Sequence, residues 1–224
     1  MIIIKKIEGF IFDLDGIITD TADYHYQSWK KMTSEEKIKF NRDINEKLRG
    51  LTREKSLEVI LNGKNISKSK KEELLKRKNE YYHEYIAEMD EKDLIPGIKS
   101  ILNTLDKKEY RMSIASSSKN AGPIIEKLNL LHFFEVISDG NSVSKNKPAP
   151  DLFLHTANKM KVRPEKCVVI EDSKAGVQAA KSADMKVVGI GPKDRIGVAD
   201  FCYKKVKNIK LEEILNLSSD VNFT

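Results

Sequence analysis

Gly9-Phe10-Ile11-Phe12 runs straight into Asp13-Leu14-Asp15-Gly16, so an apolar stretch without alternation closes on two carboxylates and a glycine. A strand with polar and apolar residues in turn has one wet face; a continuous run like this one suits a strand buried on both faces of a parallel sheet. The same signature recurs along the chain. Met112-Ser113-Ile114-Ala115 leads into Ser116-Ser117-Ser118, and Val136-Ile137 into Ser138-Asp139. Cys167-Val168-Val169-Ile170 leads into Glu171-Asp172-Ser173, and Val187-Val188-Gly189-Ile190 into Gly191-Pro192. Helical patterns lie between these runs at about 97–107, 119–130, 150–161 and 173–184. Strand and helix in alternation predict an α/β fold, a doubly wound and mostly parallel sheet.

Residues 20–90 break that rhythm. They hold no buried-strand run, but amphipathic patterns near 21–32, 53–62 and 68–88. The expectation is an all-helical cap domain at 20–90, inserted into a core made of 1–19 and 91–224.

Composition narrows the function classes. Two widely separated cysteines, Cys167 and Cys202, exclude a disulfide scaffold and a zinc-finger framework and fit a reducing compartment. No stretch approaches the ~20 apolar residues of a membrane span. The expected location is cytoplasmic. The net charge of +6 raises the question of nucleic acid. Lysine far outnumbers arginine, however, and acids are interspersed, as in Lys70-Lys71-Glu72-Glu73. That pattern describes a solvated helix face, and no nucleic-acid or membrane partner is expected.

The strand ends carry the chemistry. Asp13 and Asp15, two apart, project to one side as the chain leaves the sheet. Alone, the pair reads more readily as a strand end with a glycine turn. Glu171 and Asp172 close another strand, so carboxylates collect at one sheet edge, an all-oxygen set that suits Mg²⁺. Ser116, Ser117 and Ser118 precede a helix expected to begin near Lys119, a place for an anion. Lys147, fixed by Pro148, would neutralise a phosphoryl group beside them. Phosphoryl transfer is the economical reading.

Asp13-Leu14-Asp15-Gly16, Ser116, Lys147-Pro148 and Glu171-Asp172 resemble, in order, the four motifs of the haloacid dehalogenase superfamily. Within it the chain is similar to the β-phosphoglucomutases. That similarity rests on residues 13–22 with His25 and Trp29, on Leu48-Arg49-Gly50-Leu51-Thr52-Arg53-Glu54, on Lys76-Arg77-Lys78-Asn79, on Ala115–Asn120 and on Lys147–Asp151. Arg49 stands where that pattern has lysine.

The resemblance implies interconversion of β-D-glucose 1-phosphate and D-glucose 6-phosphate through β-glucose 1,6-bisphosphate. Asp13 would be the nucleophile and Asp15 the general acid and base. Mg²⁺ would sit on Asp13, the Asp15 main-chain carbonyl and Asp172, with Glu171 alongside. Ser116, Ser117 and Lys147 would hold the reacting phosphoryl group. Arg53, Ser118, Lys119 and Asn120 would clamp the second phosphate, since an arginine fork binds phosphate in a bidentate way. Thr21, His25, Trp29, Arg49, Gly50 and Lys78 would complete the sugar site and hinge. Two alternatives stay open: a Mg²⁺-dependent sugar-phosphate phosphatase of the same fold, and a basic interaction module without catalysis. The expected protein is a monomer acting on a small sugar phosphate.

Overall fold

The computed structural model describes residues 7–48 and 52–216. Among the described residues six strands form one sheet: β1 (Gly9–Phe12), β2 (Arg111–Ala115), β3 (Val136–Ser138), β4 (Cys167–Glu171), β5 (Lys186–Ile190) and β6 (Phe201–Tyr203). Every pairing is parallel, in the order β3-β2-β1-β4-β5-β6. The order turns back between β1 and β4, and in open α/β sheets ligands bind beyond the carboxyl ends of the strands at such a switch point.

Helices α1 (Ala22–Glu35), α2 (Arg42–Glu46), α3 (Arg53–Leu61) and α4 (Lys68–Ala87) precede β2 along with α5 (Ile98–Lys107). Then come α6 (Ala121–Lys127), α7 (Asp151–Lys159), α8 (Lys174–Ser182), α9 (Lys193–Ile196) and α10 (Leu211–Leu215). The chain forms two compact units, one of residues 1–20 and 90–224, the other Thr21–Met89.

In the first unit both sheet faces are covered, as the unalternated runs require. Ile11 packs with Phe153 and Ala157 of α7, Val177 and Ala180 of α8, and Val169 and Val187 of the neighbouring strands. On the opposite face Phe10 meets Tyr110 edge-on at 5.3 Å, and Phe12 meets Phe134 at 6.0 Å. Fully burying one such side chain is worth about 1.5–3 kcal/mol, so β1, buried along its whole length, is a rigid base for the carboxylates at its end.

The segment after β1 is pinned as well. The Gly16 amide donates to the Thr19 carbonyl at 2.7 Å, and Ile18 and Thr19 donate back to Leu14. Thr19 Oγ1 donates to the Asp93 carbonyl at 2.7 Å, and the Ile95 amide to Ile18 at 2.8 Å. The two ends of the helical insertion are therefore tied together within the first unit.

Among its described residues the second unit has helices and no strand. Its helix starts obey local rules: Asn41, Thr52 and Ser67 each cap the next helix by accepting a backbone N–H. Its core is Trp29, Met32, Leu48, Leu57, Ile60, Leu61 and Leu74. Among the described residues no helix is long and apolar enough to cross a membrane.

Three elements differ from the sequence expectation. Strand β6 went unread because only three residues pair, none of them fully buried. Helix α2 lies in the Lys- and Glu-rich stretch after Trp29, where five residues with no buried position give no periodicity. Helix α6 begins at Ala121, not near Lys119. Ser116 and Ser118 hydroxyls capture the Ser118 and Asn120 amides, and this local turn delays the helix.

Candidate active site

Register builds the site. Phe12 pairs with Ile170, and the Asp13 amide donates to the Ile170 carbonyl at 3.0 Å, so Asp13 leaves the sheet beside Glu171. Lys147 Nζ reaches both: it lies 2.6 Å from Asp13 Oδ1 and 3.3 Å from Glu171 Oε1, and donates to the Ala115 carbonyl at 3.0 Å. Its side chain is 6% exposed, those of Asp13 and Glu171 10% and 1%. Two carboxylates and one lysine thus share a nearly dry space, where each depends on the others.

Glu171 is fully engaged. Besides Lys147, its Oε1 accepts from Ser173 Oγ at 2.9 Å, and Oε2 accepts from the Asp172 and Ser173 amides. A Cβ on Gly176 would stand 1.6 Å from Glu171 Oε1, so glycine there makes room for that carboxylate. Asp172 is more open, with its side chain 27% exposed. Its carboxylate lies over Gly16, whose φ is +83° and where a Cβ would stand 2.6 Å from Asp172 Oδ2. The glycine after the two aspartates is therefore needed both for backbone conformation and for the approach of Asp172.

Carboxylate oxygens of Asp13, Glu171 and Asp172 lie within 4.8 Å of one another. Burial, then Glu171, pushes Asp13 well above the usual carboxylate range, with Lys147 opposing. Burial and Glu171 push Asp172 up to about 6, with Arg195 opposing. Burial disfavours the charge of Lys147 as well, yet Asp13 and Glu171 together hold its pKa above that of an ordinary lysine. The cluster is short of positive charge, and all its donors are oxygens, so the residues fit a hard divalent cation such as Mg²⁺. Asp13, Glu171 and Asp172 could each offer it an oxygen; Glu171 is the most engaged of the three, with Lys147, Ser173 Oγ and two backbone amides. Asp15 is half-buried and forms a bridge with Thr19 that orients the turn.

At the end of β2, Ser116 is buried and its hydroxyl accepts from the Ser118 amide at 3.1 Å. Asn120 is buried, Ser118 half-buried, and Ser117 and Lys119 exposed. The loop presents hydroxyls at the same sheet edge as the carboxylates.

The helical unit assembles a second group. Lys78, 2% exposed, has its Nζ in a hydrogen bond with His25 Nδ1 at 2.9 Å. It lies 5.4 Å from the Trp29 ring centroid and 4.6 Å from that of Tyr82, and His25 stacks on Tyr82 at 4.2 Å. Among the described residues no carboxylate pairs with it. Burial, reinforced by Arg53, lowers Lys78 to about 7. The same burial, with Lys78 and Arg53, pushes His25 well below its ordinary range. Arg53 is half-buried in the first turn of α3, and burial lowers its pKa. Thr21 is buried at the start of α1, where its carbonyl accepts the His25 amide at 3.0 Å. Trp29 is 4% exposed and belongs to the unit's core. Arg49 and Gly50 lie outside the described residues.

Sequence reading missed three participants. Tyr82 stacks on His25, Ser173 holds Glu171, and Arg195 stands 3.6 Å from Asp172. Ser173 comes directly after Glu171-Asp172 and caps α8, which a capping rule would have caught. Tyr82, four residues after Lys78 and so on its helix face, was open to the same spacing argument.

Residues 10–190 match the family model for haloacid dehalogenase-like hydrolases. The chain belongs to that family. Over 209 residues it is 40% identical to a β-phosphoglucomutase of Bacillus subtilis, covering 92% of each protein. It is 29% identical to a phosphorylated carbohydrates phosphatase of Thermotoga maritima, covering 96% of this chain and 99% of that one. Among solved structures, a β-phosphoglucomutase from Clostridium difficile superimposes with a TM-score of 0.86 at 36% identity, covering 95% of this chain and 97% of that one. The four motifs of this family member thus stand on the switch-point edge of its sheet.

Proposed function

We propose that the protein interconverts β-D-glucose 1-phosphate and D-glucose 6-phosphate through a phosphorylated Asp13. The supporting observation is the second cationic group: Lys78 is buried with no carboxylate partner among the described residues, in the same unit as Arg53. A lysine so placed is costly unless an anion joins it. A simple phosphatase needs one phosphate site; a mutase working through a bisphosphate needs two. The 40% identity to a β-phosphoglucomutase points the same way.

In this reading Asp13 attacks phosphorus and carries the phosphoryl group. Lys147, already on Asp13 and Glu171, offsets the charge that grows on the phosphoryl oxygens. Ser116 and the Ser117 amide hold those oxygens. Asp15 protonates the departing sugar oxygen and later takes a proton from the attacking hydroxyl. Mg²⁺, held by Asp13 and Asp172 with the Asp15 carbonyl, would supply charge neutralisation. Arg53 with Ser118, Lys119 and Asn120 takes the distal phosphate, while Lys78, His25 and Thr21 answer to the sugar. The helical unit acts as a cap that keeps water from the aspartyl phosphate, which it would hydrolyse. Glucose 1,6-bisphosphate primes the cycle. Arg49, Gly50 and Trp29 are assigned to the same cap by resemblance, and the protein works as a cytoplasmic monomer.

The identity to a phosphorylated carbohydrates phosphatase supports hydrolysis as the rival. Purified protein with Mg²⁺, β-glucose 1-phosphate and catalytic glucose 1,6-bisphosphate separates the two. Glucose 6-phosphate without matching free phosphate is expected; free phosphate without isomerised sugar would establish the rival.

A further inference from the structure

Arg195 forms an ion pair with Asp172, the more open of the metal-site carboxylates, and it belongs to none of the motifs. Its Nη2 stands 3.6 Å from Asp172 Oδ2 and donates to the Ile190 carbonyl at 3.4 Å. The guanidinium passes over Gly191, where a Cβ would stand 2.3 Å from Nη2. The chain turns there with φ of +129° and starts α9 at once, the Arg195 amide donating to the Pro192 carbonyl at 3.0 Å. Two glycines thus serve one contact, Gly16 by admitting the Asp172 carboxylate and Gly191 by admitting the arginine.

We propose that Arg195 occupies Asp172 as a built-in counter-charge and thereby weakens divalent-cation binding at Asp13 and Asp172. The proposal rests on the phosphoryl-transfer reading of this site. A fixed positive charge beside a ligand has two opposed effects on a metal: it can orient the carboxylate, and it repels the incoming cation. The Asp172 backbone and the space that Gly16 leaves for its carboxylate do not depend on Arg195. The Asp172 amide is held by Glu171 Oε2 at 2.9 Å, and its side chain is seated against Gly16. Repulsion is therefore the effect that remains. Its strength is moderated by solvent, since the Arg195 side chain is 35% exposed. Lys147 bears on the same cation from the Asp13 side, but it also offsets Glu171 and is unchanged in the Arg195 variants, so a change in their affinity reports Arg195. The consequence is a site that takes up and releases its cation readily, with Asp172 never left without a positive partner.

The test counts free Mn²⁺ by electron paramagnetic resonance during titration of the full-length protein, and then displaces it with Mg²⁺. Arg195→Met is expected to bind Mn²⁺ and Mg²⁺ about tenfold more tightly than wild type. Arg195→Lys, which keeps the charge but loses the planar fork, is expected within about threefold of wild type. Circular dichroism checks the fold, and Arg195→Gln carries the same expectation as Arg195→Met should the latter fail to fold. Equal or weaker binding by the uncharged variants, with wild-type binding still abolished by Asp172→Asn, overturns the proposal alone. Absence of any Asp172-dependent binding in wild type overturns the phosphoryl-transfer reading and the proposal with it.

Discussion

Lys78→Met is expected to stabilise the helical unit, and to do so more in acid than in base. Lys78 is 2% exposed and its partners are an imidazole and two aromatic rings, so the folded state penalises its charge. Burial, with Arg53, takes its pKa from 10.5 down to about 7. At about 1.4 kcal/mol per pH unit, that drop corresponds to about 5 kcal/mol of destabilisation when the lysine is protonated in both states. Proton binding fixes the sign. Below pH 7 folded and unfolded chains are both protonated and the full penalty applies. Between 7 and 10.5 the unfolded chain holds more protons than the folded one, so stability rises with pH; above 10.5 the penalty is gone. Methionine keeps the stem's packing without the charge. With a urea dependence of about 1–3 kcal/mol per molar, the midpoint should rise by about 2 M at pH 6, and by about a third of that at pH 9.5. Trp29, the chain's one tryptophan, lies in this unit and reports its unfolding by fluorescence. A midpoint that falls, or a rise of equal size at both pH values, would refute the reasoning.

Lys147→Met should act in the opposite sense, costing about 3–5 kcal/mol at pH 7 by leaving Asp13 and Glu171 buried together without a cation. The loss should shrink as the pH falls, because the raised Asp13 carboxyl takes up its proton sooner than an ordinary carboxylate; thermal melts in chelator across the acidic range check this. Gly176→Ala places a Cβ 1.6 Å from Glu171 Oε1 and should lower turnover at least tenfold by displacing Glu171 and with it Lys147. Gly122→Ala, with nothing within 4 Å, is the control and should leave turnover unchanged. Ellman's reagent should label one thiol per chain rapidly, at exposed Cys202, because Cys167 is buried and its pKa is pushed up to about 12.

The parts legible in the sequence were those governed by short-range rules. Runs such as Phe10-Ile11-Phe12 announce strands buried on both faces, and the carboxylates at their ends fall together because parallel register aligns Asp13 with Glu171. Period and order sufficed for the sheet up to β5. The edge strand β6 did not show, since two half-covered residues around an exposed one carry no pattern. Helix α6 was read too early because serines that look like a helix start instead spend their hydroxyls on a local turn. Arg195 was illegible for a different reason. It lies 23 residues beyond Asp172, and only the turn at Gly191 brings the two together. The burial of Lys78 was equally hidden, as its neighbours Lys76, Arg77 and Asn79 read as a solvated helix face.

Every step of the proposed cycle depends on Asp13 carrying the phosphoryl group. Protein mixed with Mg²⁺ and radiolabelled glucose 1,6-bisphosphate, quenched in acid within milliseconds and digested, should yield label on the peptide containing Asp13. That label should be released by hydroxylamine, as an acyl phosphate is, and absent from Asp13→Asn. Turnover of β-glucose 1-phosphate at the wild-type rate by Asp13→Asn, or label on any other residue, would contradict it.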